Sequence, residues 1–151
     1  MISKKDRWEA MKIKVFLDNN AIMPTKAHEV DAGFDLYAPC NVLIPAHGGA
    51  VIDTGVHMMI PQGYVGMIKS KSGLNVKDSI LSEGVVDALY SGSIKAKLYN
   101  HSDVEKRFEV GNKITQIVIL PIPQVELEEV EIVEQLGISE RGTNGFGSSG
   151  V

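Results

Sequence analysis

Apolar residues in this chain mostly recur at every second position, in short runs set between turn signals of glycine, proline and asparagine. A period of two places one face of each run inward, the spacing of a β-strand, and runs this short leave little room for helices. Lys12 to Leu17 sets Ile13, Val15 and Leu17 on one side. Ser93 to Asn100 sets Ile94, Ala96 and Leu98 inward against Lys95, Lys97 and Tyr99 outward. Lys113 to Leu120 is apolar on both faces and reads as a buried central strand. Val125 and Leu127 change phase to Val130 and Ile132, which predicts a strand with a bulge. The turn signals are Pro39, Pro45, Gly48-Gly49, Pro61-Gln62-Gly63, Gly92, Gly111-Asn112, Pro121 and Pro123. Many short strands at close spacing predict a sandwich, jelly roll or barrel. The single helix expected runs from Ser72 to about Ile80, with Ser72 as its cap and Gly73 and Asn75 weakening it.

The 151 residues carry a formal net charge of −4, with 44% hydrophobic and 23% charged residues. That is one domain's length and an ordinary globular composition. The acidity argues against direct nucleic-acid binding, which calls for a basic surplus. No stretch offers the roughly 18 apolar residues of a spanning helix, so no membrane partner is expected. The N-terminus lacks the apolar region of a signal peptide, and the only cysteine, Cys40, has no partner for a disulfide. A cytoplasmic protein is expected. His28, His47, His57 and His101 show no metal-ligand spacing. Residues 1–10 read as an extension ahead of a strand start at Met11-Lys12-Ile13-Lys14, within one domain spanning 1–151.

After Ile138 the pattern stops. Residues 139–151, SERGTNGFGSSGV, combine an arginine, an aromatic ring and hydroxyls among glycines. As a composition this is a frayed terminus. As chemistry it suits a nucleoside triphosphate, with charge for phosphate, a π-face for a base and free backbone N–H groups. It is not a P-loop, because Ser148 occupies the place of the lysine and no helix follows.

Five segments then fall in order: Ala32-Gly33-Phe34-Asp35-Leu36-Tyr37, Lys71-Ser72-Gly73-Leu74, Gly84 to Gly92 (GVVDALYSG), Gly111 to Gln116 (GNKITQ), and Arg141 to Gly150 (RGTNGFGSSG). Together they resemble the five motifs of the trimeric dUTPase family. The resemblance runs from about Ile13 to Gly150.

The resemblance implies a jelly-roll-like all-β barrel with one short helix and a mobile Gly-rich C-terminal arm. It implies a homotrimer with sites at subunit interfaces, and hydrolysis of dUTP to dUMP and pyrophosphate with Mg²⁺ on the triphosphate. Asp87 is implied to orient and deprotonate the attacking water, a role that suits a carboxylate; taken alone it also fits a hairpin-turn residue. Tyr90 is implied to lie under the deoxyribose and exclude a 2′-hydroxyl. The segment from about Leu81 to Val85, with Gly84, is implied to read uracil through backbone groups. Lys71, Ser72, Gly73 and Gln116 are implied to meet the phosphates, although Ser72 alone reads equally as an N-cap. Arg141 is implied to clamp the γ-phosphate, Phe146 to stack on uracil, and Gly147, Ser148 and Ser149 to complete the arm. Asp35 is implied to support Mg²⁺ through water.

Three departures stand out. Lys71 replaces the family's usual arginine and loses its bidentate fork. Leu89 stands before Tyr90 where aspartate or glycine is usual, a strained choice if φ is positive. Asn112-Lys113 replaces Asp-Arg, which predicts the loss of an ion pair. Two other readings use the same residues: a deoxycytidine triphosphate deaminase of the same fold, and a dUTP-binding regulator with a protein partner and secondary hydrolysis.

Overall fold

The computed structural model describes residues 10–139 and 142–143. Among these, one curled sheet of seven strands carries most of the chain, in the order β1-β4-β7-β6-β5-β9-β2. Its members are β1 (Lys14–Leu17), β2 (Gly33–Tyr37), β4 (Gly49–Met59), β5 (Tyr64–Lys69), β6 (Ile80–Val86), β7 (Ser93–Asn100) and β9 (Lys113–Pro121). β3 (Val42–Ile44) and β8 (Lys106–Phe108) form a separate antiparallel ribbon. The period-two reading of Ser93–Asn100 holds residue for residue: Ile94, Ala96 and Leu98 are buried, and Lys95 and Tyr99 are exposed.

Two apolar clusters hold the curled sheet together. One gathers Leu36, Val56, Met58, Ile60, Ile68, Val86, Ile94 and Ile117. The other gathers Ala38, Ile44, Ile52, Ile80, Ala96, Leu98, Phe108 and Ile114. β4 serves both. Its first half pairs with β7 and its second with β1, with a register break between Asp53 and His57. Gly55 makes that break, since its φ of 66° is left-handed and an added Cβ would sit 2.9 Å from Ala21 Cβ. Glycine takes this conformation without a Cβ clash, and the bulge re-aims the strand. The Met58-Met59 pair divides accordingly, Met58 buried and Met59 exposed.

Three sequence expectations are corrected. The helix α1 spans Ser72–Asp78, but Lys71 is its N-cap and no side chain caps it. Ser72 lies inside the first turn, where its hydroxyl is free for other partners. The bulged strand expected over Val125–Ile132 does not form. Residues 122–132 lack regular structure, and a 3-10 turn follows at Val133–Leu136. The alternation is present, yet Val125, Leu127, Ile132 and Ile138 are exposed and, among the described residues, no strand lies beside them. A strand needs a partner for its backbone groups, which a local pattern cannot supply. The third concerns Asn112-Lys113: Asn112 carries no charge to pair, but Lys113 makes an ion pair with Asp35.

Candidate functional site

β6 changes partner midway. Ile80, Leu81 and Ser82 pair with Asn100, Tyr99 and Leu98 of β7, while Glu83 to Val86 pair with Lys69 to Gly66 of β5. From Glu83 onward β6 therefore keeps a strand on one edge and none on the other. The opened hairpin encloses a hollow of about 280 Å³, walled by Gly84, Val85, Val86, Asp87, Tyr90 and Lys95 among others. A parted hairpin leaves backbone donors and acceptors facing an empty space, and such groups call for a polar ligand or water.

The turn closing this hairpin carries Asp87 and Tyr90. Tyr90 N–H donates to the Asp87 carbonyl at 3.3 Å, and Leu89 N–H donates to the Ile60 carbonyl at 2.9 Å. Leu89 has a φ of 63°, so the strain that the sequence raised as a condition is present. Its side chain is 62% exposed, so burial does not offset that strain. Tyr90 lies across Gly92, where an added Cβ would fall 2.2 Å from its phenol oxygen. A side chain at this position would displace the ring. Asp87 is exposed and free of ion pairs among the described residues.

Across the hollow, Lys95 holds Asp53 at 2.5 Å and Ser93 donates to the same carboxylate. Lys95 and then Ser93 lower the Asp53 pKa to about 2.

A second cluster sits where β2, β5 and β9 run side by side. The register sets Asp35 against Gln116, and Gln116 against Lys69. Asp35 is 5% exposed. Lys113 reaches one of its oxygens at 2.7 Å and Lys71 the other. Burial pushes the Asp35 pKa upward, but the hydrogen bonds and charges of Lys113 and Lys71 outweigh it and hold the carboxyl below its ordinary value. Gln116 donates to the Ser70 carbonyl at 3.0 Å, and its side chain fills the space that a Cβ at Gly33 would need. Ser70 Oγ accepts from Ser82 N–H at 2.7 Å, and Thr115 donates to the Lys69 carbonyl at 2.9 Å. These bonds fix the backbone that leads into Lys71, Ser72 and Gly73. Nothing lies within 4 Å of a Cβ placed on Gly73, so packing inside this chain does not demand glycine there.

The structure thus brings the predicted residues together as two groups. Gly84, Val85, Asp87 and Tyr90 form one; Asp35, Lys71, Ser72, Gly73 and Gln116 form the other. Val86 lies opposite Gly66 and Glu83 opposite Lys69. Glu83 to Val86 spans three residue steps, about 10 Å, with Asp87 beyond one end and Lys71 beyond the other, while Gly84 and Val85 lie between them. Arg141, Phe146, Gly147, Ser148 and Ser149 lie outside the described residues.

Sequence reasoning missed Lys113 and Asp53 as partners in this architecture, and gave His57 no role. Lys113 carried a readable signal, a cation in a segment already singled out. The pairing of Asp53 with Lys95 depends on β4–β7 register, which no local pattern encodes.

Among the described residues, no three His, Cys, Asp or Glu side chains converge as a metal cage. Both Asp35 oxygens already face ammonium groups. The donor set fits a divalent ion that rides on substrate phosphates and meets the protein through water; it does not fit one caged by side chains alone.

The dUTPase family profile matches residues 19–150. A deoxyuridine 5′-triphosphate nucleotidohydrolase of Clostridium acetobutylicum is 41% identical, with 93% of this chain and 97% of that protein aligned. Its counterpart in Candida albicans is 37% identical over 97% of this chain and 94% of that protein. Among solved structures, the dUTPase of Staphylococcus bacteriophage 80alpha with bound dUpNHpp superposes with a TM-score of 0.86 at 34% identity, covering 94% of this chain and all of that one (100%). A dUTPase from phage phi11 of S. aureus, described as coordinating a structural Mg(II) ion, superposes at 0.75 with 30% identity, over 82% of this chain and 99% of that one.

Proposed function

The chain belongs to the dUTPase family, and on that premise we propose that it hydrolyses dUTP to dUMP and pyrophosphate through attack of water on the α-phosphorus. The observation that carries the site assignment is the parted β6–β7 hairpin, whose unpaired edge lies beside Asp87 and Tyr90. A fixed backbone edge can accept from uracil N3–H, where cytosine offers only a second acceptor. Leaving such a pair unsatisfied discriminates by several orders of magnitude. Tyr90, seated on Gly92, forms a rigid floor for a sugar and leaves no room for a 2′-hydroxyl. Asp87, exposed at the mouth, takes the proton of the attacking water. The new P–O bond forms as the bond to the β-phosphate breaks, and pyrophosphate departs.

Lys71, Ser72 and Gly73 form the phosphate-binding segment, with Gln116 holding its approach through the Ser70 carbonyl. A bare Gly73 with open space around it suits close approach of a phosphate. Mg²⁺ on the triphosphate would neutralise charge there, with Asp35, held ionised, touching it through water. Arg141, Phe146, Gly147, Ser148 and Ser149, outside the described residues, are the groups the family resemblance assigns to the γ-phosphate and the base.

The separation of the two groups supports assembly from more than one chain. Asp87 and Lys71 flank about 10 Å of intervening strand, so within one chain they do not converge on one phosphorus. A homotrimer that juxtaposes the Asp87 turn of one subunit with the Lys71 segment of another resolves this. The exposed alternating residues from Val125 to Ile138 supply surface for such an assembly, since a strand without a partner in its own chain can pair with a neighbour's sheet.

Pyrophosphate release from dUTP, dTTP, dCTP and UTP tests the proposal. Hydrolysis confined to dUTP is expected. Ammonia release from dCTP would favour the deaminase instead. A regulatory role beside hydrolysis has one point in its favour: the phage 80alpha relative is described as controlling transfer of virulence genes by a proto-oncogenic G protein-like mechanism. A pull-down with and without dUTP would detect a partner of this chain.

A further inference from the structure

His57 lies on β4, behind the Asp87–Gly92 turn, and each of its ring nitrogens has a polar partner. Nδ1 is 2.7 Å from the backbone carbonyl of Ser91, and Nε2 is 3.0 Å from the carboxylate of Asp18. Both partners are acceptors only. A neutral imidazole has a single N–H, so it would leave a lone pair facing one of these oxygens at hydrogen-bond distance. Only the imidazolium satisfies both. The ring is further fixed by Phe16, packed edge-on with a centroid separation of 5.4 Å, and its side chain is 25% exposed.

We infer that His57 is a positioning residue for the hydrolytic site: as a doubly donating imidazolium it ties Ser91, and with it the turn bearing Asp87 and Tyr90, to Asp18 and the β1–β4 edge. The inference rests on the dUTPase reading of that turn. The turn needs such a tie because Leu89 strains it and its side chains face solvent. Its other anchors are the Leu89 N–H bond to Ile60 and a long 3.4 Å contact from the Tyr90 phenol to the Ser93 carbonyl. Of these, only the His57 bond changes with pH in the neutral range.

The charged groups around His57 favour its cationic form. Asp18 faces it from the segment after β1, and Asp53, paired with Lys95 of β7, adds negative charge from β4 itself. Lys14 of β1 lines a shallow surface hollow together with His57 and Ser91, and among the described residues is the one other cation there. Ser91 and then Asp18 raise the His57 pKa above its ordinary value of 6.5, against a smaller opposing effect of burial. A raised folded-state pKa means that the tie is complete below the unfolded value and is lost as pH rises through the folded one.

Two measurements on the full-length protein test this. Nitrogen-15 NMR of labelled histidine should show both His57 nitrogens protonated at neutral pH. Hydrolysis of dUTP should be followed from about pH 6 to about pH 9, across the range where histidine titrates. Wild-type kcat/KM is expected to fall on the alkaline side. His57→Gln, which can donate to only one partner, is expected to lower kcat/KM near neutral pH about tenfold, the scale of one charged hydrogen bond, and to abolish the alkaline fall. Asp18→Asn leaves the turn's sequence untouched and is expected to move that fall to lower pH; it serves if His57→Gln does not fold. A single-N–H tautomer at neutral pH, or a variant profile parallel to wild type, overturns the inference. A wild-type protein that leaves dUTP intact would instead overturn the dUTPase reading, and the NMR result would still judge the tie on its own.

Discussion

The two halves of the site are built on opposite principles. Around Asp35, a buried carboxylate is held by two lysines, and the backbone leading into the phosphate segment is fixed by Gln116, Thr115 and Ser70. Around Asp87, the chemistry-bearing residues are exposed on a strained turn with few anchors. The first half is part of what holds the sheet edges together, so its order comes with folding. The second is attached to the sheet by few bonds and adds little to the core. Binding of fixed charge suits the first arrangement. Handling a water and a base, which must enter and leave, suits the second.

The largest expected effect comes from Asp87→Asn. The amide keeps the shape but cannot take a proton, and turnover should fall on the order of 10²–10⁴-fold. Because Asp87 is exposed and outside any ion pair, the melting temperature should stay within the error of the wild type. A variant that both unfolds and loses turnover would erase the contrast between the halves.

Asp35→Ala should do the reverse of that division. It leaves two partly buried ammonium groups facing each other, and a loss of about 2–3 kcal/mol in urea unfolding is expected, below the full range for buried pairs because both lysines reach solvent. Stability equal to wild type would mean that the ion cluster serves only the ligand.

Leu89→Gly relieves a left-handed φ while adding freedom to the unfolded chain. The two nearly cancel, with a net change of at most about 1 kcal/mol in either direction. The informative readout is kinetic, since a looser turn should raise KM for dUTP severalfold. An unchanged KM would show that the strain at Leu89 plays no part in placing Tyr90.

The smallest effect is expected in acid. Asp35 and Asp53 both have lowered folded-state pKa values, that of Asp53 near 2. Their contribution is present above the unfolded carboxylate range and disappears as pH falls through the folded values. Stability should therefore decline between about pH 4 and about pH 2. Asp53→Asn should remove only a small part of that decline, since Asp53 and Lys95 are both largely exposed and such pairs contribute little. A large flattening would give the wall facing Tyr90 more structural weight than its exposure suggests.

Much of this was legible in the chain itself. The alternation of Ile94, Ala96 and Leu98 fixed a strand and its inward face, and α1 lay within two residues of its expected end. Five ordered segments named the candidate residues. Other features were not legible, each for a physical reason. β4 is the longest strand, yet the sequence reading passed over it. Its inward face, Ile52, Thr54, Val56 and Met58, alternates without a break, but Thr54 is polar and Val51 and Met59 are apolar on the outer face, so the hydrophobic pattern does not mark it. The stretch from Val125 to Ile132 failed the other way: its alternation is genuine, but among the described residues no strand edge lies beside it.

Local order is determined by sequence because side-chain spacing and backbone sterics act between neighbours. By itself the sequence determined that the chain is β-rich with one short helix, that apolar faces alternate, and which residues carry charge, hydroxyl and aromatic chemistry. Tertiary structure alone decided that β6 abandons β7 at Ser82 and opens the hollow, that Lys113 joins Lys71 on Asp35, and that His57 meets two acceptors. Those outcomes depend on strand register and on contacts between residues tens of positions apart. Their energies exist only once the sheet has closed.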